Sequence, residues 1–232
     1  MANSAKVDAL QKPSGIDYKK YYLFGYNLLQ TIGWSAILFQ FILYCVSPSN
    51  KSLYETVKCT LNVFQNAAVL EVLHAATGMV KSNPILTAFQ VASRVIVVCA
   101  ILLATYSARD SWGLPLALTA WSITEIIRYS NYTLNLINSV PYVLKYLRYT
   151  TFIVLYPVGI TGELLCIWAA QEEVGKGFLY SIDLPNKYNF AFNYQHLLWF
   201  LMLLYIPLFP QLYLHMFSQR KKVLKSSKQK SS

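Results

Sequence analysis

Phe152-Ile153-Val154-Leu155-Tyr156-Pro157-Val158-Gly159-Ile160-Thr161-Gly162-Glu163-Leu164-Leu165 is an apolar run that holds a phenol and a carboxylate. Hydrocarbon penalises a carboxylate by a few kcal/mol, so a chain that keeps one there has a use for it. Seven residues on an α-helix turn through about 700°, close to two full turns, which puts Tyr156 and Glu163 on one face. Such a face can present a proton donor and a base to one substrate. It can equally hold a carboxylate that pairs with an intramembrane arginine and ties helices together.

The surroundings of that run are those of a membrane protein. Of the 232 residues, 55% are hydrophobic and 13% charged, where a soluble domain has about 25% charge. The mean hydropathy is +0.36. Spans need about 20 mostly apolar residues. Six stretches qualify, near residues 22–46, 57–79, 85–107, 114–136, 147–170 and 197–217, predicting an all-α, six-span bundle over residues 21–217. Polar ends of 1–20 and 218–232 flank it. The first stretch is long, follows a charged leader and lacks a small-residue cleavage site, so it reads as a retained anchor.

Three predicted spans are impure: Gln65, Asn66, Glu71 and His74 mark the second, Gln90 and Arg94 the third, Glu125 and Arg128 the fourth. Helices of that kind face a bundle interior. Glu125 is the i,i+3 neighbour of Arg128 and its simplest partner. Arg148, at the start of the fifth span, either meets a substrate phosphate or snorkels to headgroups. Tyr129, Tyr132, Tyr142, Tyr146 and Tyr149 read as interfacial belt residues. Gly159 and Gly162 offer flexibility or a close helix contact, the latter being the stronger reading.

The formal charge of +10 is a topological signal. With six spans the termini share a side, which holds Lys6, Lys12, Lys19, Lys20, Lys81, Lys145, Arg148 and six basic residues of the tail. The other side holds Lys51, Lys58, Arg109, Lys176 and Lys187. That bias places both termini in the cytosol, with Glu172, Glu173 and Asp183 opposite. The basic residues are split among short loops and a polar, low-complexity tail expected to be disordered, so nucleic acid is not an expected partner. Lys228 and Lys230 sit at the third and fifth positions from the end, a spacing similar to the dilysine retrieval signal of endoplasmic-reticulum membrane proteins.

Several chemistries lack their residues. Cys45, Cys59, Cys99 and Cys166 are scattered, and His74, His196 and His215 are isolated, so neither a metal centre nor a histidine-box site is expected. No Gly-rich dinucleotide fingerprint, G-x-S-x-G elbow or C-x5-R phosphate loop occurs. No metal and no cofactor is expected. Acid–base chemistry remains.

The run from Phe152 to Glu163 resembles the signature of the very-long-chain (3R)-3-hydroxyacyl-CoA dehydratases, the protein-tyrosine-phosphatase-like A family. The likeness continues in Glu71-Val72-Leu73-His74, Gln90-Val91-Ala92-Ser93-Arg94, the stretch from Trp121 to Tyr129, Leu179 to Phe190, and Pro207 to Tyr213, in the same order. It covers about Tyr22 to Lys222. The resemblance implies a six-span endoplasmic-reticulum enzyme that dehydrates 3-hydroxyacyl-CoA to trans-2-enoyl-CoA, the third step of fatty-acid elongation, beside other elongation enzymes and without a cofactor. The family's catalytic Tyr and Glu fall on Tyr156 and Glu163, with Arg94, Glu125, Arg128, Arg148 and Gly159 as supporting candidates.

The chemistry fits those residue types. Elimination needs a base at C2 and an acid at C3, roles suited to ionised Glu163 and a Tyr156 that keeps its proton up to about pH 10. The reverse assignment needs an arginine beside the tyrosinate and stays open. Seven residues rise roughly 10.5 Å, more than neighbouring carbons allow, and a bend at Pro157 is one way to close the gap. A transporter or a scaffold is the alternative, although the two halves of the chain show no repeat. In the catalytic reading, Arg94, Glu125, Arg128, Tyr156 and Glu163 face one polar cavity with room for an acyl chain.

Overall fold

The computed structural model describes residues 17–47, 50–177 and 179–229. Lys6, Lys12 and Lys230, together with the side chain of Lys228, lie outside the described residues. The described chain is helical, and its β pairing is one isolated bridge between Ile182 and Phe192.

Local chemistry sets the helix ends. Helix α1, Tyr18–Val46, starts where the Asp17 carboxylate accepts the Lys20 amide at 3.1 Å. Helix α2, Leu53–Ala67, opens on a Ser52/Glu55 capping box, each side chain bonding the other's amide at 3.2 Å, a reciprocal satisfaction of two orphan donors. After a break at Ala68, α3 (Val69–Ala76) ends before Gly78, whose φ of 70° is a left-handed conformation that glycine adopts freely. Helix α4, Pro84–Val95, has proline in its first turn and the Asn83 cap, and continues as a π-helical segment, Ile96–Leu102. The Leu102 and Leu103 carbonyls at its end accept from the Arg109 guanidinium, both at 2.6 Å. Helices α5 (Tyr106–Arg109), α6 (Gly113–Leu136), α7 (Tyr142–Arg148), α8 (Phe152–Gly177) and α9 (Tyr194–Gln229) complete the order.

Among the described residues, four helices are long and apolar enough to cross a membrane: Tyr18–Val46, Pro84–Leu102, Phe152–Gly177 and Tyr194–Val223. The chain is therefore an all-α, multi-pass membrane protein. The predicted second span is divided into α2 and α3. The predicted fourth is α6, 24 residues long, with a lower apolarity that follows from its position. It packs between α1 and α8 and buries Leu114, Leu118, Trp121, Glu125 and Tyr129.

Small residues let α6 and α8 approach backbone to backbone. A Cβ at Gly162 would lie 2.6 Å from the Ala117 amide nitrogen and 2.8 Å from the Gly113 carbonyl, and one at Gly113 would lie 2.6 Å from the Cys166 nitrogen. The order of these contacts is antiparallel, and the close approach is that of membrane helix pairs with glycine at the seam.

Two expectations are corrected. Asn66 and Gln90 are exposed rather than interior, the Asn66 amide having satisfied itself on the Asn62 carbonyl at 2.8 Å. The segment beyond Phe217, expected to be disordered, continues α9 to Gln229, because Arg, Lys and Gln are good helix formers and no Gly or Pro interrupts them.

Candidate active site

Glu163 is only 4% exposed, and both of its oxygens are occupied. Oε1 accepts from the Trp121 indole Nε1 of α6 at 2.9 Å, and Oε2 from the Tyr205 hydroxyl of α9 at 2.7 Å. Gly159, one turn before it, makes room for the first contact. A Cβ there would meet the Ala120 Cβ at 3.3 Å and the Trp121 Nε1 at 4.0 Å. Among the described residues no ion pair includes Glu163. The reading in which an arginine pairs with Glu163 to tie helices is therefore not the observed arrangement.

Tyr156 shares the α8 face but has different company. Its ring stacks on Phe209 at 5.3 Å and on Tyr213 at 5.8 Å, with interplanar angles of 10° and 5°. Pro157 deprives the Ile153 carbonyl of its helical donor, and the Tyr213 hydroxyl replaces that donor at 3.0 Å. Helix α8 consequently continues through Pro157 to Gly177. Tyr205, Phe209 and Tyr213, spaced i, i+4, i+8, form the α9 face that meets α8. Among the described residues no hydrogen bond joins Tyr156 to Glu163.

Beside these groups runs a ladder of alternating charge. Arg94 bonds Glu125, whose other oxygen lies 2.6 Å from Arg128. Arg128 also donates to Glu71 at 2.7 Å, and the Tyr129 hydroxyl donates to the same Glu71 oxygen. The ladder joins α3, α4 and α6, and its two acids balance its two bases. Buried charges need this mutual pairing, since neither water nor lipid supplies it. The i,i+3 pairing of Glu125 with Arg128 is present as expected. Arg94 also lies 5.9 Å from the centre of the Trp121 ring, which couples the ladder to the Glu163 cluster.

The structure thus brings the expected residues into adjoining groups. The two cavities that stand out among the described residues lie elsewhere: one of about 540 Å³ around Lys58 and Arg109, and one of about 230 Å³ between α4 and α9. Arg148 is held by Asn131 at 2.7 Å and lies 4.3 Å over the Tyr132 ring, so it is anchored to α6 rather than free to snorkel. Tyr129 is fully buried, which removes it from the interfacial belt. Its burial follows from the hydrogen bond to Glu71.

A sequence model of the family described as protein tyrosine phosphatase-like protein, PTPLA, matches residues 65–226, which include every member of the ladder and of the Glu163 cluster. The chain belongs to this family. Among curated relatives, very-long-chain (3R)-3-hydroxyacyl-CoA dehydratase 2 of Mus musculus is 50% identical over 204 residues, covering 88% of this chain and 80% of the relative. Very-long-chain (3R)-3-hydroxyacyl-CoA dehydratase hpo-8 of Caenorhabditis elegans is 48% identical, covering 88% and 94%. Very-long-chain (3R)-3-hydroxyacyl-CoA dehydratase PASTICCINO 2 of Arabidopsis thaliana is 33% identical, covering 90% and 96%. No solved structure matches the chain.

Sequence reasoning about this PTPLA member missed Trp121, Tyr205 and Tyr213 as individual contributors, and Glu71 as a partner of Arg128. One signal was available for Trp121, which precedes Glu125 by four residues and so shares its helix face. Nothing in an apolar stretch such as Leu203-Leu204-Tyr205-Ile206 says which helix its phenol will reach.

Proposed function

We propose that this protein removes water from very-long-chain (3R)-3-hydroxyacyl-CoA to give trans-2-enoyl-CoA, the third step of fatty-acid elongation, with Glu163 as base and Tyr156 as acid. The observation that carries the reading of the site is the Glu163 carboxylate, buried on α8, outside any ion pair among the described residues and oriented by Trp121 and Tyr205. An indole can only donate, and a carboxyl group that accepts on both oxygens is set up as a carboxylate. That favours Glu163 as the base.

The reaction balances within the pair. Glu163 takes the C2 proton, the freed electron pair forms the C2–C3 double bond, and the C3–O bond breaks as Tyr156 gives its proton to the leaving hydroxyl. Transfer of the proton from Glu163 back to the Tyr156 oxygen resets the enzyme, so no cofactor is consumed. Both side chains tilt toward the helix N-terminus, Glu163 toward Tyr156 and Tyr156 away from it, so the substrate has to reach across their roughly 10.5 Å axial separation. Stacking on Phe209 and Tyr213 fixes the Tyr156 ring. Pre-orientation of this kind lowers the cost of reaching a reactive geometry.

The finer setting belongs to the same proposal. Helix α6, about 36 Å long, and the α2–α3 pair add to the four apolar helices to make six spans. The basic bias favours cytosolic termini, and the dehydratase reading favours the endoplasmic reticulum, beside the other elongation enzymes. Purified protein given a 3-hydroxyacyl-CoA without any added cofactor is expected to produce enoyl-CoA, and absence of product would overturn the assignment. A tag placed after Ser232 is expected to be digested by protease in sealed microsomes; protection without detergent would overturn the orientation.

A further inference from the structure

The cavity of about 230 Å³ between α4 and α9 is lined by Leu86 and Phe89 of α4 and by Leu208, Gln211, Leu212 and His215 of α9. On α9, Leu208 at one end of the groove lies one turn beyond Tyr205, the residue that bonds Glu163. Along the groove face of α9 the character changes in order. Leu208 and Leu212 are apolar, Gln211 adds an exposed amide, His215 bonds Gln219 at 3.2 Å, and exposed Lys222 follows on the same side. Fourteen residues from Leu208 to Lys222 turn about 1400°, within about 40° of four full turns, so this is one continuous stripe.

We infer that the α4–α9 groove holds the pantetheine arm of the acyl-CoA substrate, with Gln211 facing its amides and Lys222 facing the CoA phosphates. This inference rests on the dehydratase reading and says where the part of the substrate remote from the reaction lies.

Length supports it. From Tyr205 to His215 the helix rises about 15 Å. The pantetheine arm carries two amides in a chain about as long as four extended residues, roughly 14 Å. Chemistry supports it as well. A lipid chain in the groove would leave the Gln211 amide and the His215 ring facing hydrocarbon, which is costly. The pantetheine arm instead presents its dimethyl group to the leucines, its amides to Gln211 and its anionic end to the basic part of α9. The groove residue nearest the end of α9, His215, lies toward Arg220, Lys221 and Lys222, the end expected to meet the cytosolic CoA pool.

The test compares two thioesters of one 3-hydroxyacyl group, the CoA ester and the N-acetylcysteamine ester, which lacks most of the arm. Leu212→Trp narrows the groove, and Gln211→Leu and Lys222→Glu alter exposed residues without touching packed ones. The ratio of kcat/KM for the CoA ester over the short ester is expected to fall about tenfold for Lys222→Glu, as loss of a charge-assisted contact predicts. Gln211→Leu is expected to lower it about fivefold, as loss of one neutral hydrogen bond predicts. Leu212→Trp is expected to lower it at least as far as Lys222→Glu. If Leu212→Trp does not fold, the two surface variants decide. Equal losses on both esters, or no loss on either, would overturn the inference while leaving the dehydratase reading intact. A wild-type protein that turns over neither ester would overturn the dehydratase reading itself.

Discussion

Replacing Glu125 by Gln removes one charge from the centre of the Arg94–Glu125–Arg128–Glu71 ladder and keeps the side-chain volume. Glu125 is 2% exposed and meets a different guanidinium on each oxygen. In the variant Arg128 still has Glu71, whereas Arg94 loses its ion pair among the described residues and keeps the face of Trp121 at 5.9 Å. Breaking a buried pair by removing one partner costs about 3–5 kcal/mol. At 2–4 °C per kcal/mol for a chain of this size, Tm should fall by roughly 6–20 °C. Adding Arg94→Met removes the stranded charge, and the double variant should recover most of that loss, because an apolar replacement of a whole buried pair is often neutral. Thermal unfolding in detergent, followed by helical circular dichroism, measures both. A Tm drop below 2 °C for Glu125→Gln, or additive losses in the double variant, would refute the ladder as a structural unit.

The remaining expectations concern the shell around Glu163 and the helix seam. Trp121→Phe and Tyr205→Phe each remove one donor from the carboxylate and should lower kcat about 10–100-fold, from roughly 1–3 kcal/mol of lost orientation, with Tm shifted far less than by Glu125→Gln; unchanged kcat in both would show that Glu163 needs no positioning. Gly162→Ala drives a Cβ against the Ala117 and Gly113 backbones and should cost at least about 1–3 kcal/mol. Gly159→Ala meets only the Ala120 methyl at 3.3 Å and should cost less, so equal Tm losses would contradict the seam geometry. Tyr213→Phe leaves the Ile153 carbonyl without its donor and should cost about 1–3 kcal/mol, read as a Tm decrease; no decrease would mean that this carbonyl has another partner.

Much of this arrangement was legible in the residues, for stated reasons. Tyr156 and Glu163 could be assigned to one face because helical spacing is periodic, and Arg128 could be paired with Glu125 because i,i+3 neighbours meet on any helix. The apolar helices were legible from hydropathy. Helix α6 was harder to classify, since a helix shielded by α1 and α8 need not be apolar itself. The contacts of Glu163 with Trp121 and Tyr205 span 42 residues each, and no periodicity within one helix reports which helix lies opposite. The same holds for Tyr213, whose role arises from a carbonyl that Pro157 orphans on another helix. Tyr129 was misplaced at the interface because tyrosine is common there; its burial depends on Glu71, 58 residues away.

The most direct test of the catalytic pair is dehydration and reverse hydration measured for Tyr156→Phe, Glu163→Gln and the double variant, alongside Tm. Tyr156→Phe keeps the ring stacked on Phe209 and Tyr213, and Glu163→Gln keeps volume and hydrogen-bonding capacity, so all three variants should fold. Each single change should lower the rate about 10²–10⁴-fold. The double variant should be little worse than the worse single one, because the two groups act in the same step. Full activity in well-folded Tyr156→Phe would remove the tyrosine from the reaction, and a Glu163→Gln variant that loses stability but not turnover would make Glu163 a structural residue.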